Sequence, residues 1–336
     1  MKNSHSRSKL AIELKTMLQR DLRAAQRASG DKEKQRALLL RRKAELLKPQ
    51  QTWIDGHKEL LSQFCRQDLP SRYVPESLRF VVCVDQWQHD LWRLVKLSEW
   101  SMPPNEYIGR RKRILVFDGD YLLGIIGVAS CVWGLRARDE WIGWDVTQKT
   151  KRIDYVVDTY VLGAIPPYNG KYRGTKLLAF AVASEEFCRI WQSAYGYSPA
   201  LIVNTTLFGH SAVMNRLKYD GNKVWEHLGY TRGLGTMHFR AETFQAARTL
   251  LESQGIEVPD RLSEAPNWKL RLMRTAIEST GLRAEDYLQH GYRRGIYAHQ
   301  CATNTREFLR GEAKRLNLIH IPLQELIEGW RRIAFK

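Results

Sequence analysis

Metal-assisted phosphodiester chemistry needs two or three carboxylates converging on Mg²⁺, with a Lys or Arg to offset charge. The chain offers Asp139, Asp154 and Asp158, followed by Glu185 and Glu186. No DDE or PD-(D/E)xK spacing organises them, and no residue is assigned as a metal ligand. Asp154 and Asp158 stand four apart in one β-rich run, so a strand there would turn both side chains to one face. The plainer alternative is a set of solvated or ion-paired carboxylates. His210 lies between Gly209 and Ser211 and reads either as a general base or as a cap at a short helix. Spacing assigns it no Asp partner, and no GxSxG elbow is present. Asp139, Asp158 and His210 are therefore the catalytic candidates. Asp139 belongs to the string Arg138-Asp139-Glu140-Trp141-Ile142-Gly143-Trp144. An Arg–Asp pair beside Trp141 and Trp144 either orients a polar ligand or clamps two loops.

Phosphate binding is a second chemistry within reach. From Pro166 to Lys176 a strand runs into a glycine-containing loop and then a helix. Free N–H groups at a helix start attract phosphate. Gly170, Lys171, Arg173, Gly174, Thr175 and Lys176 are the candidates there. The spacing is neither a Walker loop nor GxGxxG, and an ordinary cationic loop capping a helix explains it equally. A third chemistry is the grip of a polyanion. The 336 residues hold 53 Lys and Arg against 36 Asp and Glu, a net charge of +17. The first fifty residues hold 14 against 5, more than half of that excess. Nucleic acid, DNA above RNA, is the expected partner. Arg20, Arg23, Arg27, Arg41, Arg42, Lys43, Arg293 and Arg294 are the expected contacts.

The elements that must position these groups follow from periodicity. Leu10, Leu14, Met17, Leu18, Leu22 and Ala25 recur at three- and four-residue steps on a basic helix. A second helix is expected from Asp31, as N-cap, to Leu47. These two form either an arm lying on a phosphate backbone or a hairpin packed on the domain behind it. Strands are expected at 79–84, at 113–117 and 121–128 around Asp118-Gly119-Asp120, at 153–161 and at 199–205. Helices are expected at 85–97, with Trp87 and Trp92 in the core, and at 175–194. Further helices follow at 241–254, 267–280, 303–316 and 322–333. The expected organisation is a basic helical arm over 1–50, a linker over 51–77, an α+β core over 78–240 and a helical C-terminal extension over 241–336. Cys65, Cys83, Cys131, Cys188 and Cys301 are odd in number and form no CxxC, which argues against a zinc ribbon or a disulfide scaffold. The apolar uncharged run from Tyr121 to Leu135 is shorter than the about 20 residues of a membrane helix. No membrane partner is expected, and the expected location is cytoplasmic.

The segment before the helix at 175 resembles the pyrophosphate loop of the GNAT acyltransferases: strand, proline-marked bulge, R/Q-x-x-G-x-G/A loop, helix. The loop positions read Asn169, Tyr172 and Gly174, so the last glycine is kept and the first two positions depart. This resemblance implies a GNAT-like mixed, largely antiparallel sheet with flanking helices, and acyl-CoA as the corresponding cofactor. Tyr172 crowds the approach of a pyrophosphate. Most of residues 75–320 is similar to the DruA family, named for a component of the Druantia anti-phage defence systems. The residues that carry this are Leu122-Leu123-Gly124-Ile125-Ile126-Gly127, the string from Arg138 to Trp144, and Val156-Val157-Asp158. Gly163-Ala164-Ile165-Pro166-Pro167-Tyr168-Asn169 and Gly229-Tyr230-Thr231-Arg232-Gly233-Leu234-Gly235-Thr236 continue it, as do Arg294-Gly295-Ile296-Tyr297 and Asn304-Thr305-Arg306-Glu307-Phe308-Leu309-Arg310. The resemblance implies a role in bacterial defence or a mobile element, with other proteins of a defence operon as partners. Two activities stand beside nucleic-acid binding as alternatives: acyl transfer and metal-dependent DNA cleavage or strand transfer.

Overall fold

The computed structural model describes residues 2–99, 109–258 and 267–334. Helices α1 (Lys2–Ala28), α2 (Lys32–Leu47) and α3 (Gln51–Phe64) precede strand β1 (Leu78–Val82), helix α4 (Gln86–Ser98) and the hairpin β2 (Arg111–Asp118) and β3 (Tyr121–Ser130). Short helices α5 (Arg136–Ile142) and α6 (Val146–Arg152) lead to β4 (Val156–Ala164), α7 (Gly174–Ala181), α8 (Glu185–Tyr195) and β5 (Leu201–Thr205). A small hairpin, β6 (Lys218–Tyr219) and β7 (Asn222–Lys223), comes before β8 (Glu226–Tyr230). The chain continues with α9 (Ala241–Ser253), α10 (Trp268–Ser279), α11 (Ala284–Leu288), β9 (Gly295–Gln300), α12 (Thr305–Leu309) and α13 (Leu323–Ala334). These elements form two units, one from α1, α2, α9, α10 and α11, the other from the rest. Among the described residues no helix is long and apolar enough to cross a membrane.

The first unit is helical. Leu14 and Leu18 of α1 are buried with Ala247, Leu250 and Leu251 of α9 and Leu272, Met273 and Ile277 of α10. The basic N-terminal helices are thus a packed hairpin rather than a free arm, because the apolar stripe of α1 needs cover from water. Asp21 is buried in that stripe. Its carboxylate accepts from the Arg240 N–H (2.9 Å) and the Thr243 hydroxyl (2.6 Å) at the start of α9, where the helix dipole favours a negative charge. Asp31 caps α2, accepting from the N–H groups of Glu33 and Lys34.

The second unit is α+β. Its sheet has the order β1-β2-β3-β4-β5-β9-β8, antiparallel at every pairing except β4 with β5. That parallel pair requires a crossover, supplied by α7 and α8. Side chains alternate between faces as the pleat demands. Ile114, Val116, Ile126, Val157, Ile202 and Tyr297 face α7, α8 and α13. Leu115, Phe117 and Val161 face α3 and α4, whereas Val156, Leu201, Val203 and Ile296 face α5 and α12.

Several expectations need correction. The helix expected over 175–194 is two, because Ser184 caps α8 through its hydroxyl, which accepts from the Phe187 N–H. The stretch expected as helices alone after 241 contributes strand β9, and the helix at 303–316 is only α12. Trp87, expected in the core, is 39% exposed and stacks on Phe64 instead.

Candidate functional site

The string 138–144 forms α5 and the turn after it. Arg138 is fully buried. Its Nε and Nη2 donate to Asp139 Oδ1 at 2.9 and 2.6 Å. Nη1 donates to the Val132 carbonyl and Nη2 to the Trp133 carbonyl, each at 2.8 Å. Asp139 Oδ1 also accepts from Trp144 Nε1 (3.1 Å), and Oδ2 accepts from Lys149 Nζ (2.8 Å). Burial pulls the Asp139 carboxyl up, but Lys149 and Arg138 together outweigh it and hold the group below its ordinary value. Both oxygens are engaged, so this carboxylate acts as the keystone of a clamp. Trp141 Nε1 donates to Glu226 (3.0 Å), and Arg306 lies over its ring.

Asp158 sits on β4 between β3 and β5, 8% exposed, on the sheet face that carries α5. Its Oδ1 is buried without a hydrogen-bond partner. Burial pushes its carboxyl up to about 6, against the pull of Arg294 and Arg138. Asp139 and Asp158 therefore share Arg138, which bonds to one and acts on the other by charge. The nearby Cys131 thiol is pushed up to about 11 by burial. Asp154 does not join them. It lies in a 3₁₀ turn before β4 and pairs with Arg110, so the shared strand face expected for Asp154 and Asp158 does not exist. Glu185 pairs with Arg189 and His320, and Glu186 accepts from the Leu323 N–H. Among the described residues no three His, Cys, Asp or Glu side chains gather as metal ligands.

His210 is exposed elsewhere in the second unit. Its ring lies 4.7 Å from that of His227 and 5.8 Å from that of Tyr230, with Asn215 Nδ2 3.2 Å from its Nδ1. Among the described residues no carboxylate orients it. The loop candidates divide. The Gly174 N–H donates to the Tyr168 carbonyl (2.8 Å), and the Arg173 guanidinium donates to the Ile333 carbonyl. Thr175 Oγ1 accepts from the Ala164 N–H (3.3 Å). Gly170 takes a positive φ. Lys171 is exposed beside the Tyr172 ring, and Lys176 is half-buried with its charge disfavoured by burial, Arg173 and Arg216.

The basic candidates of the first unit also divide. Arg20 is neutralised by Asp21 and Glu242. Arg42 donates to the carbonyls of Thr236, Met237 and Phe239, and burial lowers its pKa to about 10. Lys43 is buried. By contrast Arg23 and Arg27 on α1 and Arg41 on α2 are exposed, and their side chains make no ion pair or hydrogen bond with another described residue. Lys9, Arg23 and Arg27 fall on the outward face of α1, opposite Leu14 and Leu18. In the second unit Arg294 donates to the Thr205 (3.2 Å) and Thr206 (3.0 Å) carbonyls. Arg293, assigned to the first unit, is exposed.

Sequence reasoning missed Lys149, Cys131, Val132 and Trp133, all of which meet Arg138 or Asp139. A cue was available for Lys149: α6 opens at Asp145, whose side chain caps the Gln148 N–H, so Lys149 must lie within the first turns.

The ordered motifs noted in the sequence have a counterpart among known proteins. The chain is 32% identical over 309 residues, 86% of its length and 75% of the relative's, to the Druantia protein DruA of Escherichia coli (strain UMEA 4076-1). No solved structure matches it. Residues 29–311, which hold the Arg138 clamp, Asp158 and most of both units, match the family described as Druantia protein DruA, and the chain belongs to that family.

Proposed function

We propose that this protein is a nucleic-acid-binding component of an anti-phage defence system, acting with other proteins of the same operon, and that DNA is its polymer. Membership of the DruA family supports the defence role. The observation that carries the binding is the outward face of the N-terminal helices, where Arg23, Arg27 and Arg41 stand exposed with no acidic partner among the described residues. Cations left unpaired on one surface recruit phosphates and release counterions. The acyl-CoA alternative is weaker, since the Gly174 N–H and the Arg173 guanidinium, which a pyrophosphate would need, already serve protein carbonyls. Metal-dependent cleavage is weaker as well, because Asp139 is taken up by Arg138 and Lys149 and Asp154 by Arg110, which leaves Asp158 without a second free carboxylate among these three.

The test is fluorescence anisotropy with a labelled DNA duplex over a salt series. The triple variant Arg23→Ala, Arg27→Ala, Arg41→Ala should bind more weakly. Its log–log salt slope should be shallower by about 2 to 3, since each lost phosphate contact removes about 0.9. An unchanged slope removes this face from the mechanism.

A further inference from the structure

A guanidinium taken fully out of water costs several kcal/mol unless it is paired and its donors are satisfied. Arg138 is such a group, and two of its hydrogen bonds hold the main chain of Val132 and Trp133. Those are the residues of this loop whose side chains stay in water, 51% and 52% exposed. The network below them is closed: Asp139 grips the guanidinium, and Lys149 grips Asp139. Lys149 Nζ also lies 4.6 Å from the centroid of the Trp133 ring, which gives the exposed indole a cationic neighbour. Val146, 72% exposed, stands one turn before Lys149 on α6. A buried ionic clamp thus fixes an exposed tryptophan, whereas a surface tryptophan of no consequence needs no such support.

We propose that Trp133 is a stacking platform for an unpaired base of single-stranded nucleic acid, set in place by the Arg138–Asp139–Lys149 clamp. The inference rests on the nucleic-acid reading and adds a strand preference and a second contact, in the sheet-bearing unit. Aromatic faces beside cations are the usual means of holding unpaired bases without regard to sequence. A closed duplex offers no free base face, so Trp133 discriminates between the two forms.

The experiment compares labelled dT20, a labelled hairpin duplex and an abasic strand of the same length, using the full chain. Trp133→Ala should raise the Kd for dT20 by about 5- to 150-fold, the range of one lost base stack. Trp133→Phe should stay within a few-fold of the unaltered protein. Hairpin and abasic strand should shift less than twofold. A Trp133→Ala protein that binds dT20 as before overturns the proposal, as does an equal loss on all three probes. If sedimentation shows that Trp133→Ala dissociates a self-associated protein while dT20 affinity holds, the surface is an oligomer contact and the proposal fails. Salt-dependent hairpin binding that persists in each of these cases leaves the wider reading standing, whereas absence of binding to every probe by the unaltered protein sinks both.

Discussion

Asp158 is ionisable and buried, with one oxygen that nothing bonds. Its carboxyl titrates near 6 in the folded chain against an ordinary 3.8. Between those values the folded protein keeps a proton that the unfolded chain has released. Stability from this group is therefore whole below about pH 4 and is lost as pH rises toward 6. Above that, the ionised carboxylate costs the folded state about 3 kcal/mol. Asp158→Asn keeps the shape and removes the charge. The variant should melt above the unaltered protein at pH 8 and together with it at pH 4. Thermal melts across pH 4–8 check this, and coincident curves throughout would mean that Arg138 and Arg294 fully compensate the charge. The sequence displays Arg138 and Asp139 as neighbours, so a charged pair near two tryptophans was legible. That Lys149 completes the clamp, and that Asp154 is turned out of the strand to Arg110, depends on how α5 and α6 fold back, which no local spacing encodes.

Gly174 shows what the loop before α7 contributes at the scale of an element. A Cβ there would lie 2.5 Å from the Tyr168 carbonyl oxygen and 2.8 Å from the Ala164 Cβ. Both obstacles belong to the main chain or to its first side-chain atom, so neither swings away. Gly174→Ala should destabilise the second unit by about 1 to 3 kcal/mol, even though alanine favours a helix by about 1 kcal/mol over glycine. Chemical denaturation followed by far-UV circular dichroism measures the difference, and a neutral or stabilising result would show that α7 is free to lift from β4. Gly174 thus serves close helix–strand packing. Elements with local signals were readable: Asp31 marks the start of α2, and Gly119-Asp120 closes the β2–β3 hairpin. The break at Ser184 hides in an alanine-rich run with no Gly or Pro. Strand β9 was missed because its partners, β5 and β8, lie about 65 to 95 residues earlier in the chain, and pairing at that separation leaves no periodicity in so short a segment.

At the scale of the whole molecule, the family match begins at residue 29 and ends at 311, yet the helices outside it are not appendages. Helix α1 gives Leu14, Leu18 and Asp21 to the core of the first unit, and α13 gives Leu326, Ile327 and Trp330 to that of the second. Each unit thus has an apolar core of its own, which is the condition for separate cooperative unfolding. Leu18 is fully buried, and Leu18→Ala should cost the first unit about 2 to 5 kcal/mol. For a unit of this size that lowers its melting temperature by roughly 10 °C or more. Scanning calorimetry should resolve two transitions, with Leu18→Ala moving one and Gly174→Ala the other. If either substitution moves the entire heat-absorption profile, the two cores melt together. The same measurement governs how the N-terminal helices are probed. Removing residues 1–48 strips Leu14 and Leu18 from a core, so a truncated protein that loses DNA binding reports unfolding as readily as lost phosphate contacts. Substitution of the exposed Arg23, Arg27 and Arg41, which leaves the first transition in place, separates the two.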